Sequence, residues 1–162
     1  MIYRYASLAL FLLLVVAASL AGSAFEAGEW YYVTMRRPSI APPGWLFAVV
    51  SALVYVCMAV AAWKIWLTEH YSRLGVLTWW ALLLVLNVSW SVVFFGLNRP
   101  GWSLPVVAAT IGVAIFCIRA FIPLSRPAGF LVAPFLGWIA FIGVFNLAVW
   151  TLNDGLLARF LS

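Results

Sequence analysis

Charge is scarce in this chain. Nine Lys/Arg and four Asp/Glu make up 8% of its 162 residues, against about 25% in soluble domains, while apolar residues reach 67%. There is one histidine, His70, between Glu69 and Tyr71, and it reads as a solvated loop residue. There are two cysteines, Cys57 and Cys117. Both fall inside apolar segments without ligating neighbours, so they read as small buried apolar residues, and neither a disulfide framework nor a metal site is expected. No nucleophile–base pair, Gly-rich phosphate loop or metal-ligand spacing is present, so no catalytic residue is assigned and ordinary hydrolytic or phosphoryl-transfer chemistry is excluded. The net charge of +5 is spread over several loops rather than gathered on one face, which argues against a nucleic-acid partner.

What is present are five long windows that charge avoids: 5–25, 38–63, 74–98, 100–118 and 127–153. Each is close to the roughly 20 residues that a spanning helix needs. A charge at mid-bilayer costs several kcal/mol, and that cost explains the clearing. The expected fold is all-α: one membrane domain over residues 1–162, with helices at about 6–25, 44–66, 76–97, 103–122 and 129–151. The first window is longer than the apolar core of a signal peptide and is read as a retained span, despite the small residues Ala21–Ala24. Tyr3 and Tyr5, Trp63 and Trp66, Trp79 and Trp80, Trp102 and Trp150 mark span ends, where amphipathic rings form interfacial belts. Basic residues divide five to four between the two faces and set no orientation.

The connector after the first span is unlike the others. Residues 29–47 carry Trp30, Tyr31, Tyr32, Trp45 and Phe47 together with Pro38, Pro42 and Pro43. A loop with that much apolar area folds back onto something, and the expectation is a lid, stiffened by Pro42 and Pro43, over a pocket at one membrane face. Asn98-Arg99-Pro100-Gly101, by contrast, is a tight turn that makes the third and fourth helices antiparallel neighbours.

The interiors of the windows hold no Asp, Glu, Lys or His, and Arg119 lies at a helix end, so an ion-coupled carrier lacks its usual intramembrane group. No internal repeat is visible either, which counts against inverted-repeat transporters. Uncharged polar residues recur instead at helical spacing. Asn87, Trp90, Ser91 and Phe94 share one face; Trp138, Ile142, Asn146, Trp150 and Asn153 form a second stripe; Ser51, Tyr55 and Ala59 form a third. An amide in hydrocarbon must find partners, so Asn87 and Asn146 are expected to face inward. Two readings stay open on residues alone: bonding between helices, or a pocket that orients a flat apolar guest.

These residues resemble the TspO/MBR family of tryptophan-rich sensory proteins and translocator proteins, also called peripheral benzodiazepine receptors. The first-loop pattern Trp-Tyr-x-x-Leu-x-Lys-Pro followed by Pro-Pro-x-Trp-x-Phe is similar to Tyr31-Tyr32-Val33-Thr34-Met35-Arg36-Arg37-Pro38 and Pro42-Pro43-Gly44-Trp45-Leu46-Phe47. Asn87, Trp90, Phe94, Phe95 and Gly96 match the third-helix signature, while Pro134, Trp138 and Asn146 match the fifth. The resemblance implies five helices around a pocket that binds tetrapyrroles such as protoporphyrin and haem, sterols, and synthetic isoquinoline or benzodiazepine ligands, with no further cofactor. It implies ligand-binding roles for Tyr32, Trp45, Tyr55, Asn87, Trp90, Trp138 and Asn146. A homodimer is implied too, with Ala18/Gly22 and Ala108/Gly112 as small-residue pairs that suit close packing between or within bundles. The location implied is a bacterial cell envelope, or the mitochondrial outer membrane for a eukaryotic chain.

The chain departs from the family pattern at Ser51, where a tryptophan is common, and at Ala48, Ser39, Ile40, Tyr31 and Phe135. Residues Leu147 to Arg159 do not form the family's sterol pattern. The function implied is a receptor- or transporter-like protein for flat apolar ligands. The alternative is an enzyme that degrades porphyrin under light, and Ser51 removes one of the two tryptophans that such chemistry would use.

Overall fold

In a computed structural model, residues 2–25 and 28–153 are described, and every regular element among them is helical. The helices are α1 (Ile2–Ser23), α2 (Gly44–Trp66), α3 (Arg73–Ser91), α4 (Pro100–Leu124) and α5 (Arg126–Asn153). α3 runs on into a π-helical turn, Val92–Gly96, and a second such turn, Trp30–Thr34, interrupts the connector between α1 and α2. All five helices are long and apolar enough to cross a membrane. The chain is thus a multi-pass membrane protein with an all-helical bundle.

α3, α4 and α5 each begin three residues before the expected position, because the first turn of a membrane helix extends past the apolar window. Pro100 opens α4 and Pro127 lies in the first turn of α5, positions where a missing N–H costs nothing. Pro105, Pro123 and Pro134 lie inside helices, as membrane helices tolerate. Asn98 takes a positive φ of 54° in the tight α3–α4 turn, a conformation that asparagine accepts more readily than most residues.

Some tryptophans stand at the belt and others tie helices together. Trp102 is 74% exposed, and Trp79 is exposed beside Phe116. Trp80, expected at the interface, is buried instead, and its indole N–H donates to the Met58 carbonyl of α2 at 3.0 Å. Trp63 donates to the Arg4 carbonyl at 2.9 Å and joins α2 to the start of α1. Arg73 sits with its guanidinium 5.1 Å from the Trp66 ring centre and donates to the Thr68 carbonyl at 3.1 Å, which closes the C-terminal end of α2.

The polar centre of the bundle is Asn146, which is fully buried. Its Nδ2 donates to the Pro100 carbonyl at 2.7 Å; its Oδ1 accepts from Trp90 Nε1 at 3.1 Å and lies 2.6 Å from Ser103 Oγ. One side chain thus joins α3, α4 and α5. Nearby, a Cβ on Gly101 would lie 2.6 Å from Trp150 Nε1, so glycine lets the α5 indole close on the start of α4. Gly22 likewise brings α1 against Ser91 of α3, whereas Gly112 faces open space.

Asn146→Leu removes these bonds and leaves the buried Trp90 indole N–H without a partner, while Ser103 keeps its bond to the Pro100 carbonyl. The expected loss is about 1–3 kcal/mol of stability, read as a lower Tm in detergent. Trp102→Ala, at an exposed position, is expected to stay within about 0.5 kcal/mol of the parent. Equal losses in the two variants would contradict the central role of Asn146.

Candidate functional site

A cavity of about 590 Å³ lies between α1, α2, α3, α5 and the connector. Helical periodicity decides who lines it. On α2 the lining residues are Gly44, Phe47, Ala48, Ser51, Ala52 and Tyr55, steps of three and four that form one face. Trp45 is one residue past Gly44, about 100° round the helix, and it points outward with 69% exposure. α3 adds Asn87, Trp90 and Ser91, and the π-helical turn that follows adds Phe95; α5 adds Trp138, Ile139, Ile142 and Phe145. α1 supplies only small lining side chains up to its end, Ser19, Gly22 and Ser23.

The walls are aromatic. Trp138 packs against Phe47 with ring centres 5.3 Å apart and against Phe141 at 5.4 Å. Tyr31 meets Phe95 edge-on at 5.6 Å and Tyr32 at 5.1 Å. Trp90 is stacked on Phe94 at 5.1 Å, and its N–H is already held by Asn146, so it presents a fixed edge to the cavity.

Few polar groups converge on this space. Asn87 Nδ2 donates to the Tyr55 hydroxyl oxygen and bridges α3 to α2 in the wall. In that arrangement the phenolic proton of Tyr55 and the amide oxygen of Asn87 have no partner among the described residues and serve as a donor and an acceptor. Among the described residues Arg37 is the one charged lining residue, with its guanidinium 5.8 Å from the Tyr32 ring centre. Burial pushes the Tyr31 phenol above its ordinary value; the Arg37 charge opposes that rise and Tyr32 adds to it. Tyr31 is therefore neutral at physiological pH. Among the described residues no group of His, Cys, Asp and Glu is arranged to hold a metal.

The connector is fastened at its middle. The backbone N–H of Arg36 donates to Asn153 Oδ1 at 2.8 Å, and Asn153 Nδ2 donates back to the Arg36 carbonyl at 3.0 Å. The same Nδ2 reaches the Val149 carbonyl at 2.8 Å, which locks the rotamer. Met35 beside it is buried, and its N–H donates to the Trp30 carbonyl at 2.8 Å. A pair of bonds from the last residue of α5 thus holds a segment more than a hundred positions earlier.

Of the residues singled out from sequence, Tyr32, Tyr55, Asn87, Trp90 and Trp138 come together in the cavity with Pro42 and Pro43. Trp45 and Asn146 do not line it. Trp45 is off the α2 stripe, and Asn146 has turned toward the buried Pro100 carbonyl at the head of α4. Sequence reasoning missed Arg37, Phe47 and the Asn153 clamp. Phe47 had a visible signal, since it follows Pro43 by one turn and begins the face that Tyr55 ends.

Asn153→Ala removes both bonds to Arg36, and the expected result is roughly tenfold faster tryptic cleavage after Arg36 with the bundle still folded. Thr151→Ala, which loses only a bond within α5, should leave the cleavage rate unchanged. No acceleration in Asn153→Ala would show that packing alone holds the connector.

The motif arrangement has counterparts among known proteins. The pattern of the TspO/MBR family matches residues 9–151. "Tryptophan-rich protein TspO" of Chlorobaculum tepidum is 34% identical over 152 residues, covering 91% of this chain and 96% of that one. "Protein CrtK" of Rhodobacter capsulatus is 33% identical over 155 residues, covering 92% and 96%. The "Translocator protein" of Bos taurus is 32% identical over 149 residues, covering 89% and 88%. With five apolar helices, matched motifs on three of its segments and this span of similarity, the chain belongs to the TspO/MBR family.

Proposed function

We propose that the chain is a membrane receptor for tetrapyrroles such as protoporphyrin and haem, which it binds in the cavity between α1, α2, α3 and α5. The observation that carries this reading is the lining: aromatic rings from α2, α3, α5 and the connector surround one donor and one acceptor on the Tyr55–Asn87 pair. A volume of about 590 Å³ falls within the roughly 300–1,000 Å³ of small-molecule sites, which are mostly apolar with a few convergent polar groups. A flat π-system fits that chemistry, with its face against Trp138 and one uncharged edge within reach of the Tyr55 hydroxyl and the Asn87 amide. Sterols and isoquinoline or benzodiazepine ligands share the flat apolar body and are secondary guests. The porphyrin or haem is the ligand, and no other cofactor takes part.

The connector acts as the lid in this reading, with Pro42 and Pro43 at its hinge end and the Asn153–Arg36 pair as its latch. Ligand occupancy then signals or moves the guest, in keeping with relatives called "Translocator protein" and "Tryptophan-rich sensory protein". The homodimer belongs to the same proposal: Gly112 faces away from the bundle, and Ala108 one turn before it is exposed. Light-dependent degradation of the guest is the alternative. It is disfavoured because Ser51 occupies the α2 wall where a second tryptophan would face the ring.

Titrating protoporphyrin and haem into the detergent-solubilised protein, with tryptophan quenching as readout, tests the reading. Saturable binding in the dark without light-dependent product supports the receptor, and product in excess of protein under light supports the enzyme. Stacking on an indole contributes about 1 kcal/mol, so Trp138→Ala is expected to weaken binding severalfold, while the exposed Trp102→Ala leaves it unchanged. No loss at Trp138 would reduce that residue to packing between α2 and α5.

A further inference from the structure

The cavity is electrically one-sided. Its deep wall is neutral, built on Tyr55, Asn87 and Ser51, while its connector wall carries a single cation, Arg37, and no acid among the described lining residues. From Gly44 to Tyr55 the lined face of α2 extends eleven residues, about 16 Å at 1.5 Å per residue. A guest that fills this length has one end against Tyr55 and the other beneath the connector.

Arg37 is held in place by its surroundings. The backbone of Arg36 is bonded twice to Asn153, which limits where the next residue can go. The guanidinium rests over the Tyr32 ring, 5.8 Å from its centre, and its charge is felt at Tyr31, so it stands exposed at the cavity mouth beside two aromatic side chains. A guanidinium in such a setting offers a planar fork of donors to a carboxylate, with less loss of side-chain freedom than a lysine would incur.

We propose that Arg37 is the specificity-determining residue of the cavity and selects flat apolar guests that carry a carboxylate at one edge, pairing with that carboxylate at the mouth. This rests on the tetrapyrrole reading and sharpens it, because it names the charged edge, rather than the ring, as what distinguishes preferred guests. The ring system supplies the buried area and the carboxylate supplies orientation: acid edge at the connector, apolar edge toward Tyr55 and Asn87. Neutral ligands of the same shape enter without the pairing and bind more weakly relative to their apolar area.

The test compares protoporphyrin with its dimethyl ester, which keeps the ring and lacks the carboxylates, on the full chain in neutral detergent in the dark. The ratio of the two dissociation constants, compared between variants, cancels the difference in detergent partitioning. Arg37→Gln is expected to lower the preference for the diacid about tenfold by weakening the diacid alone, with the ester unchanged. Arg99→Gln, which removes a charge from the same membrane face outside the cavity, is expected to leave the ratio as in the parent. An unchanged ratio in Arg37→Gln, or an equal fall in Arg99→Gln, overturns the inference while the tetrapyrrole reading stands. Absence of saturable binding by both compounds in the parent protein overturns the tetrapyrrole reading and this inference with it.

Discussion

Asn146 is the group that the rest of the bundle is arranged around. An unsatisfied amide in hydrocarbon costs several kcal/mol, because the bilayer core supplies no water to bond it. Here the cost is met by bonds from two other helices: the Pro100 carbonyl and Ser103 on α4, and the Trp90 indole on α3. Those bonds fix the connector-side ends of three helices relative to one another. Gly101 and Trp150 then close the same corner by shape. Because the Trp90 N–H is held from behind, the ring cannot swing into the cavity, and the cavity keeps its width.

The opposite wall follows a different rule. α1 is mostly exposed and contributes small residues, and its ties to α2 lie at the far end, through Trp63 and Arg4. Near the connector, α1 and α2 therefore leave space that the aromatic rings of α2, α3 and α5 border without filling. The Asn87–Tyr55 bond keeps α2 and α3 together below that space, and the Asn153–Arg36 pair holds the connector above it. Rigid on three helices and open along a fourth, the fold provides a site whose polar groups are fixed before any guest arrives. Such preorganisation is what allows few polar contacts to orient a large apolar molecule.

Much of this was legible in the chain itself. The five spans follow from where charge is absent, since the bilayer penalises charge in its hydrocarbon centre. Tyr55, Asn87 and Trp138 could be placed on inward faces because each lies on a polar or aromatic stripe with helical spacing. Periodicity on one helix, however, does not say which neighbour it meets. Asn146 sits on the inward face of α5, yet the neighbour it meets is the first turn of α4, and only the packed structure shows that its amide is consumed there. Trp45 misled for the complementary reason: it belongs to a motif, but a single residue step turns it 100° from the lined face. The Arg36–Asn153 pairing joins positions too far apart in sequence for any local pattern to carry.

The central claim is that a flat tetrapyrrole occupies the cavity bordered by Tyr55, Asn87 and Trp138. Anomalous scattering from iron in crystals grown with haem tests it most directly. The account predicts a single iron position inside that cavity, beneath the connector, between α2 and α5. An iron position in the outer apolar groove lined by Leu14, Trp80 and Val85, or no ordered iron at saturating haem, would contradict it.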